Sequence, residues 1–172
     1  MKTHASSERR APSPASPRAG SVERGVPAFW EKPKKLLVVD DNADMRRLIR
    51  FTLGPAYDVL EAGSGGEALR LAGRDKPRAI LLDVAIPDMD GLAVLRTLRK
   101  LDPEIGVIMI TGDVRMDVAR SALQCGARSY ITKPFDPEAL RGEVGRMLDG
   151  ADARPAGPCD LPWRVIGIGA RR

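Results

Sequence analysis

Three aspartates, a threonine and a lysine stand along this sequence so that each closes or follows an apolar run. Asp40 and Asp41 end "LLVVDD", Asp83 ends "AILLD", Thr111 ends "VIMIT", and Lys133 follows "SYIT". A carboxylate at the end of a buried run loses solvation, and three of them brought together repel one another. They need a cation. Oxygen donors without a histidine or thiolate among them select a hard ion, and Mg2+ is the natural choice. A carboxylate beside Mg2+ and an ammonium can attack a phosphoryl donor, because both cations stabilise charge on the group in transit and a hydroxyl can hydrogen-bond the product. The chemistry these residue types support is phosphorylation of an aspartate.

For the five to meet, their runs must lie side by side as parallel strands. Between residues 34 and 149 short β-type runs alternate with helical ones, which is the pattern of βαβ units and predicts an α/β fold with a parallel sheet. The strands read as "KLLVVD", "YDVLEAG", "RAILLD", "IGVIMIT" and "SYIT". The helices read as "ADMRRLIRFTLG", with Met45, Leu48, Ile49 and Thr52/Leu53 at helical spacing, then "SGGEALRLAG", "DGLAVLRTLRKL", "DVRMDVARSALQCG" and "DPEALRGEVGRML". Ser64 with Glu67 forms a capping-box pattern, Asp90 and Asp136 are N-cap candidates, Pro137 suits the first helical position, and Gly73 and Gly126 suit helix ends. In an open parallel sheet the ligand site lies beyond the carboxyl ends of the strands. That rim is where the five residues stand.

Composition narrows the function classes. The chain has 172 residues, 43% hydrophobic and 30% charged, room for one ordinary domain with flanking arms. No apolar run approaches the roughly 20 residues that span a bilayer, and the first residues lack the apolar block of a secretory signal. A cytoplasmic chain without membrane partners is the expectation. Its net charge of +5 resides in the flanks, since residues 34–149 hold 18 Lys+Arg and 18 Asp+Glu. Nucleic-acid binding by the central domain is therefore not expected, nor is a helix-turn-helix module evident. Cys125 and Cys159 lack the spacing of a metal site and read as free thiols. Residues 1–33, rich in Pro, Ser and Arg, read as a disordered arm with one apolar pair, Phe29-Trp30. Residues 150–172 read as a short basic tail and no output domain; "WRVIGIG" within it admits an added strand, a partner contact or a frayed end.

The segments "VVDDN", "ILLDVAIPDMDG", "IMITG" and "SYITKPF" come in the order and rough spacing of response-regulator receiver domains, which residues 34–149 resemble. The resemblance implies a flavodoxin-like, doubly wound sheet of five parallel strands in order 2-1-3-4-5 with five helices. It makes Asp83 the phosphoacceptor, with Asp40, Asp41, Asp83 and the backbone carbonyl of Ala85 as Mg2+ ligands. Thr111 becomes the switch hydroxyl, Lys133 the cation that pairs the phosphoryl group, Tyr130 the aromatic that turns inward, and Lys133-Pro134 a cis bond. Ala85 and Asp113 would flank the phosphoryl group and bear on its lifetime, and Gly112 after Thr111 would leave an open mouth for water or a partner. The implied partners are a sensor histidine kinase or histidine phosphotransfer protein upstream, and downstream a protein meeting the fourth helix, fifth strand and fifth helix. Homodimerisation on phosphorylation is a further expectation.

Under this reading the chain is a stand-alone phosphorylation switch and not an enzyme. One alternative is a receiver that binds its partner regardless of phosphorylation. Another is an aspartate-nucleophile phosphatase of the haloacid type, which wants a second aspartate two residues past the nucleophile, where this chain has Ala85.

Overall fold

The computed structural model describes residues 33–112 and 115–149, and the backbone of 165–166. The predicted arm with Phe29 and Trp30, the neighbouring Asp113, Cys159 and most of the tail lie outside the described residues. The strands are β1 (Lys34–Val39), β2 (Tyr57–Ala62), β3 (Ala79–Asp83), β4 (Gly106–Thr111), β5 (Ser129–Thr132) and β6 (Val165–Ile166). Between them come α1 (Ala43–Leu53), α2 (Gly65–Asp75), α3 (Gly91–Leu101), α4 (Met116–Gln124) and α5 (Pro137–Leu148). The sheet is parallel throughout in the order β2-β1-β3-β4-β5-β6. The expected 2-1-3-4-5 order is present, and a two-residue sixth strand from the tail adds to its outer margin.

Every residue of β3 and β4 is buried, which is why they read as unbroken apolar runs and not as alternating ones. Their side chains still alternate between two layers. Leu37, Val39, Ile80, Leu82, Val107, Met109 and Tyr130 pack with Ala68 and Leu71 of α2, Val94, Leu95 and Leu98 of α3, and Ala119 and Ala122 of α4. Leu36, Val38, Leu81, Ile108, Ile110 and Ile131 pack on the other face with Ile49 and Leu53 of α1 and Leu140, Val144 and Leu148 of α5. Each fully buried large side chain contributes roughly 1.5–3 kcal/mol, so both layers hold the strands, and hence their ends, in fixed register.

Local cap chemistry sets most helix starts. Asp90 accepts from Leu92 N, Asp136 from Glu138 N and Ala139 N, and Ser64 from Glu67 N. Glu67 Oε2 reaches Gly63 N at 2.9 Å, one residue before the position a capping box uses. Two helices differ from expectation. α2 passes through Gly73 and stops at Lys76, which takes a left-handed conformation with φ 47°. α4 starts at Met116, and its N-cap residue Arg115 gives the helix no side-chain capping bond. Leu48, expected on the inner stripe of α1, is 48% exposed. Among the described residues, no helix is long and apolar enough to cross a membrane.

Candidate functional site

β1 and β3 are neighbours, and the chain leaves them in opposite directions, to β2 on one side and β4 on the other. This is where strand order reverses and a crevice opens beyond the strand ends. β3 delivers Asp83 as its last residue, and β1 is followed at once by Asp40 and Asp41. One carboxylate oxygen from each of the three lies within 4.8 Å of the others. Asp40 is 2% exposed and Asp83 6%, while Asp41 faces solvent.

Lys133 closes the group. Its Nζ donates to Asp40 Oδ2 at 2.6 Å and to Asp83 Oδ2 at 2.5 Å. The second oxygens are also engaged: Asn42 N donates to Asp40 Oδ1 at 2.9 Å and Ala85 N to Asp83 Oδ1 at 3.1 Å. Lys133 is placed by its own N–H, which donates to the Thr111 carbonyl at 2.7 Å; its peptide to Pro134 is cis, as expected. Burial pulls the ammonium's pKa down, but hydrogen bonds to Asp40 and Asp83 and their charges outweigh it and hold the pKa above its ordinary value. The lysine is therefore charged at neutral pH.

Thr111 ends β4, is 1% exposed, and stands one residue beyond Ile110, the register partner of Asp83. Tyr130 is 1% exposed, turned into the core formed with α4, and pairs with Met109 in the sheet. Ala85 lies exposed in the loop after β3. Asp40, Asp41, Asp83 and Lys133 thus meet at one point, with Thr111 at the adjoining strand end and Ala85 in the adjoining loop.

The local charge tests the fit of a metal. Three carboxylates against one ammonium leave a formal charge of −2 across donors that are all oxygen, which a divalent hard cation neutralises. The donor set suits Mg2+.

Residues 36–145 match the family model for the response regulator receiver domain. The chain belongs to the response-regulator receiver family. It is 36% identical over 120 residues to a probable transcriptional regulator ycf27 of Porphyridium aerugineum, covering 69% of this chain and 50% of that protein. It is 32% identical over 116 residues to the sporulation initiation phosphotransferase F of Bacillus subtilis, covering 67% of this chain and 94% of that one. A CheY-like receiver domain from Methanospirillum hungatei superposes with a TM-score of 0.64 at 31% identity, covering 71% of this chain and 98% of the other. The receiver chain spans about half the length of several curated regulators it matches. Receiver domains bind Mg2+ at an acidic pocket and interact with histidine kinases or phosphotransfer proteins.

Of two supports of this receiver's pocket, one escapes a reading of the sequence and the other does not. Arg46 donates from Nη1 to the carbonyl of Asp40 at 2.7 Å and of Asp41 at 3.2 Å, while its Nε bonds Glu61 on β2 at 3.3 Å. It pins the backbone of the acid pair from below. Asn42 caps α1 by accepting from Asp44 N and Met45 N. An arginine in "MRRL" carries no signal that it turns back on preceding carbonyls, whereas an Asn before a helical run is a recognisable cap.

Proposed function

We propose that this receiver is a phosphorylation switch in which Asp83 accepts a phosphoryl group from a phosphohistidine of a sensor kinase or phosphotransfer protein. The observation that carries the reading is Lys133 Nζ held between Asp40 and Asp83 beside a third carboxylate. A carboxylate oxygen of Asp83 attacks phosphorus, the new P–O bond forms as the P–N bond breaks, and the imidazole leaves with the electron pair. Asp40, Asp41, Asp83 and the Ala85 carbonyl would hold Mg2+, which neutralises phosphoryl oxygens and lowers the repulsion between anionic donor and anionic acceptor.

Lys133 then exchanges its Asp83 contact for a phosphoryl oxygen, and the Thr111 hydroxyl donates to another. Thr111 and Tyr130, which is already turned into the core, re-pack, and the surface of α4, β5 and α5 shifts its population between two states that a downstream protein, or a second copy, distinguishes. Ala85 supports a switch over a hydrolase, because a methyl group at that position cannot serve as the second acid/base of an aspartate-nucleophile phosphatase. The balanced charge of residues 34–149 supports a protein partner over nucleic acid.

Incubation with a small phosphodonor and Mg2+ is expected to yield an acid-stable, base-labile adduct on the wild-type chain and none on Asp83→Asn. An undiminished adduct in that variant refutes the assignment.

A further inference from the structure

The loop from Val84 to Asp90 carries the Ala85 carbonyl, and it is closed on itself. Gly91 N donates to the Val84 carbonyl at 3.1 Å, and Ala85 and Asp90 form an antiparallel bridge. A Cβ on Gly91 would fall 2.8 Å from Val84 Cα, so the closure depends on glycine there. A hoop tied at its base still needs an anchor at its tip to keep one position over the sheet.

Asp88 supplies that anchor. Its Oδ1 accepts from Gly65 N and its Oδ2 from Gly66 N, each at 2.8 Å, across 23 and 22 residues of sequence. These donors belong to the first turn of α2, where backbone N–H groups lack partners within the helix and the dipole favours an anion. The bonds from Gly66 and Gly65 hold the Asp88 carboxyl below the usual carboxylate range. A Cβ on Gly65 would lie 2.7 Å from Met89 Sδ, so glycine there leaves room for the residue next to Asp88, while one on Gly66 would meet Asp88 Oδ2 at 3.4 Å, an ordinary contact. Met89, next to Asp88, packs on the core that α2 and α3 share.

We propose that Asp88 is a positioning residue for the metal centre: its two-point latch onto α2 fixes the 84–90 loop so that the Ala85 carbonyl is already aimed at Mg2+. The inference rests on the metal reading of Asp40, Asp41 and Asp83 given above. Groups that orient a metal ligand without touching the ion change its affinity, because an unlatched ligand must be ordered as the ion binds.

The test is calorimetric titration of Mg2+ alone into the full chain at neutral pH, for the wild type, Asp88→Ala, Asp88→Asn and Ser64→Ala. Losing the latch in Asp88→Ala weakens Mg2+ affinity about tenfold, and Asp88→Asn, which keeps one acceptor, falls between it and the wild type. Ser64→Ala is the control: Ser64 Oγ caps the same helix through Glu67 N at 3.2 Å but does not hold the loop. It is expected to keep wild-type affinity. Amide hydrogen exchange, read without Mg2+, is expected to rise across 84–90 in Asp88→Ala and not in Ser64→Ala. Folded Asp88 variants with wild-type affinity overturn the latch, and so does an equal loss in Ser64→Ala. Should Asp88→Ala fail to fold, Asp88→Asn alone decides by the same criterion. A wild-type chain that takes up no Mg2+ overturns the metal reading and this inference together.

Discussion

Replacing Lys133 by methionine keeps the length of its stem and removes the charge between Asp40 and Asp83. At an effective dielectric near 20, unit charges 2.5 Å apart attract by roughly 6–7 kcal/mol, and the desolvation of each ion offsets several kcal/mol of that. Side-chain exposures of 18% for Lys133, 2% for Asp40 and 8% for Asp83 place the group near the buried limit. Removing one partner of such a pair costs about 3–5 kcal/mol. The neighbouring Asp41 is exposed, and water reaches the cluster from that side, so the lower end applies: about 3 kcal/mol. For a chain of this size that corresponds to a fall in Tm of about 10 °C. The assay is urea unfolding at neutral pH in chelator, repeated in excess Mg2+. In chelator Lys133→Met unfolds at lower urea. In Mg2+ the deficit narrows, because the variant's pocket carries a formal charge of −3 and gains more from a cation that binds only the folded state. A variant as stable as the wild type in chelator would refute the electrostatic account, and so would a deficit that Mg2+ leaves unchanged.

Three further outcomes test the scaffold. Gly91→Ala drives a Cβ into the Asp83 carbonyl and Val84 backbone, which cannot yield as a side chain would, whereas Gly73→Ala meets nothing within 4 Å inside α2. Thermal unfolding is expected to show a clear loss in the first and a gain of about 0.5–1 kcal/mol in the second. Asp136→Ala removes two 2.8 Å cap bonds from the start of α5 and costs about 1 kcal/mol in the same measurement. The Asp88 carboxyl is lowered on folding, so its contribution is complete above the ordinary carboxylate value of about 3.9 and is lost as pH falls through its lower folded value. The amide shifts of Gly65 and Gly66, followed by NMR, are expected to titrate with a midpoint below that of a free carboxylate; a midpoint at or above it contradicts the two-point contact.

What the sequence disclosed was either local or delivered by topology. The caps at Ser64, Asp90 and Asp136 are legible because a side chain satisfies N–H groups two or three residues away. Asp40, Asp83 and Thr111 are legible because apolar runs end in them, and a parallel sheet brings such ends to one rim. Contacts between segments distant in sequence left no such mark. Asp88 reads as an ordinary turn residue after Pro87, since nothing near it announces that Gly65 and Gly66 lie opposite. Gly73 looks like a helix end, yet α2 continues because the turn that breaks it is made by Lys76, a residue with no special preference for the left-handed region. Leu48 fits the apolar stripe of α1 by spacing alone, but the sheet and α5 cover only the side that carries Ile49 and Leu53.

A sheet has two margins, and each exposes hydrogen-bonding groups that can recruit a strand from another molecule. At one margin, Val165–Ile166 pairs with Tyr130 and Ile131, so the chain's own backbone fills the place a foreign strand would take. The outermost described strand on that side is two residues long, too little to template further growth. At the other margin, β2 runs for six residues and cannot rely on brevity. Asp58 projects from it into solvent, and Glu61 is held there by Arg46 and Arg50. Shortness protects one flank of the sheet against unplanned association, and fixed charge protects the other.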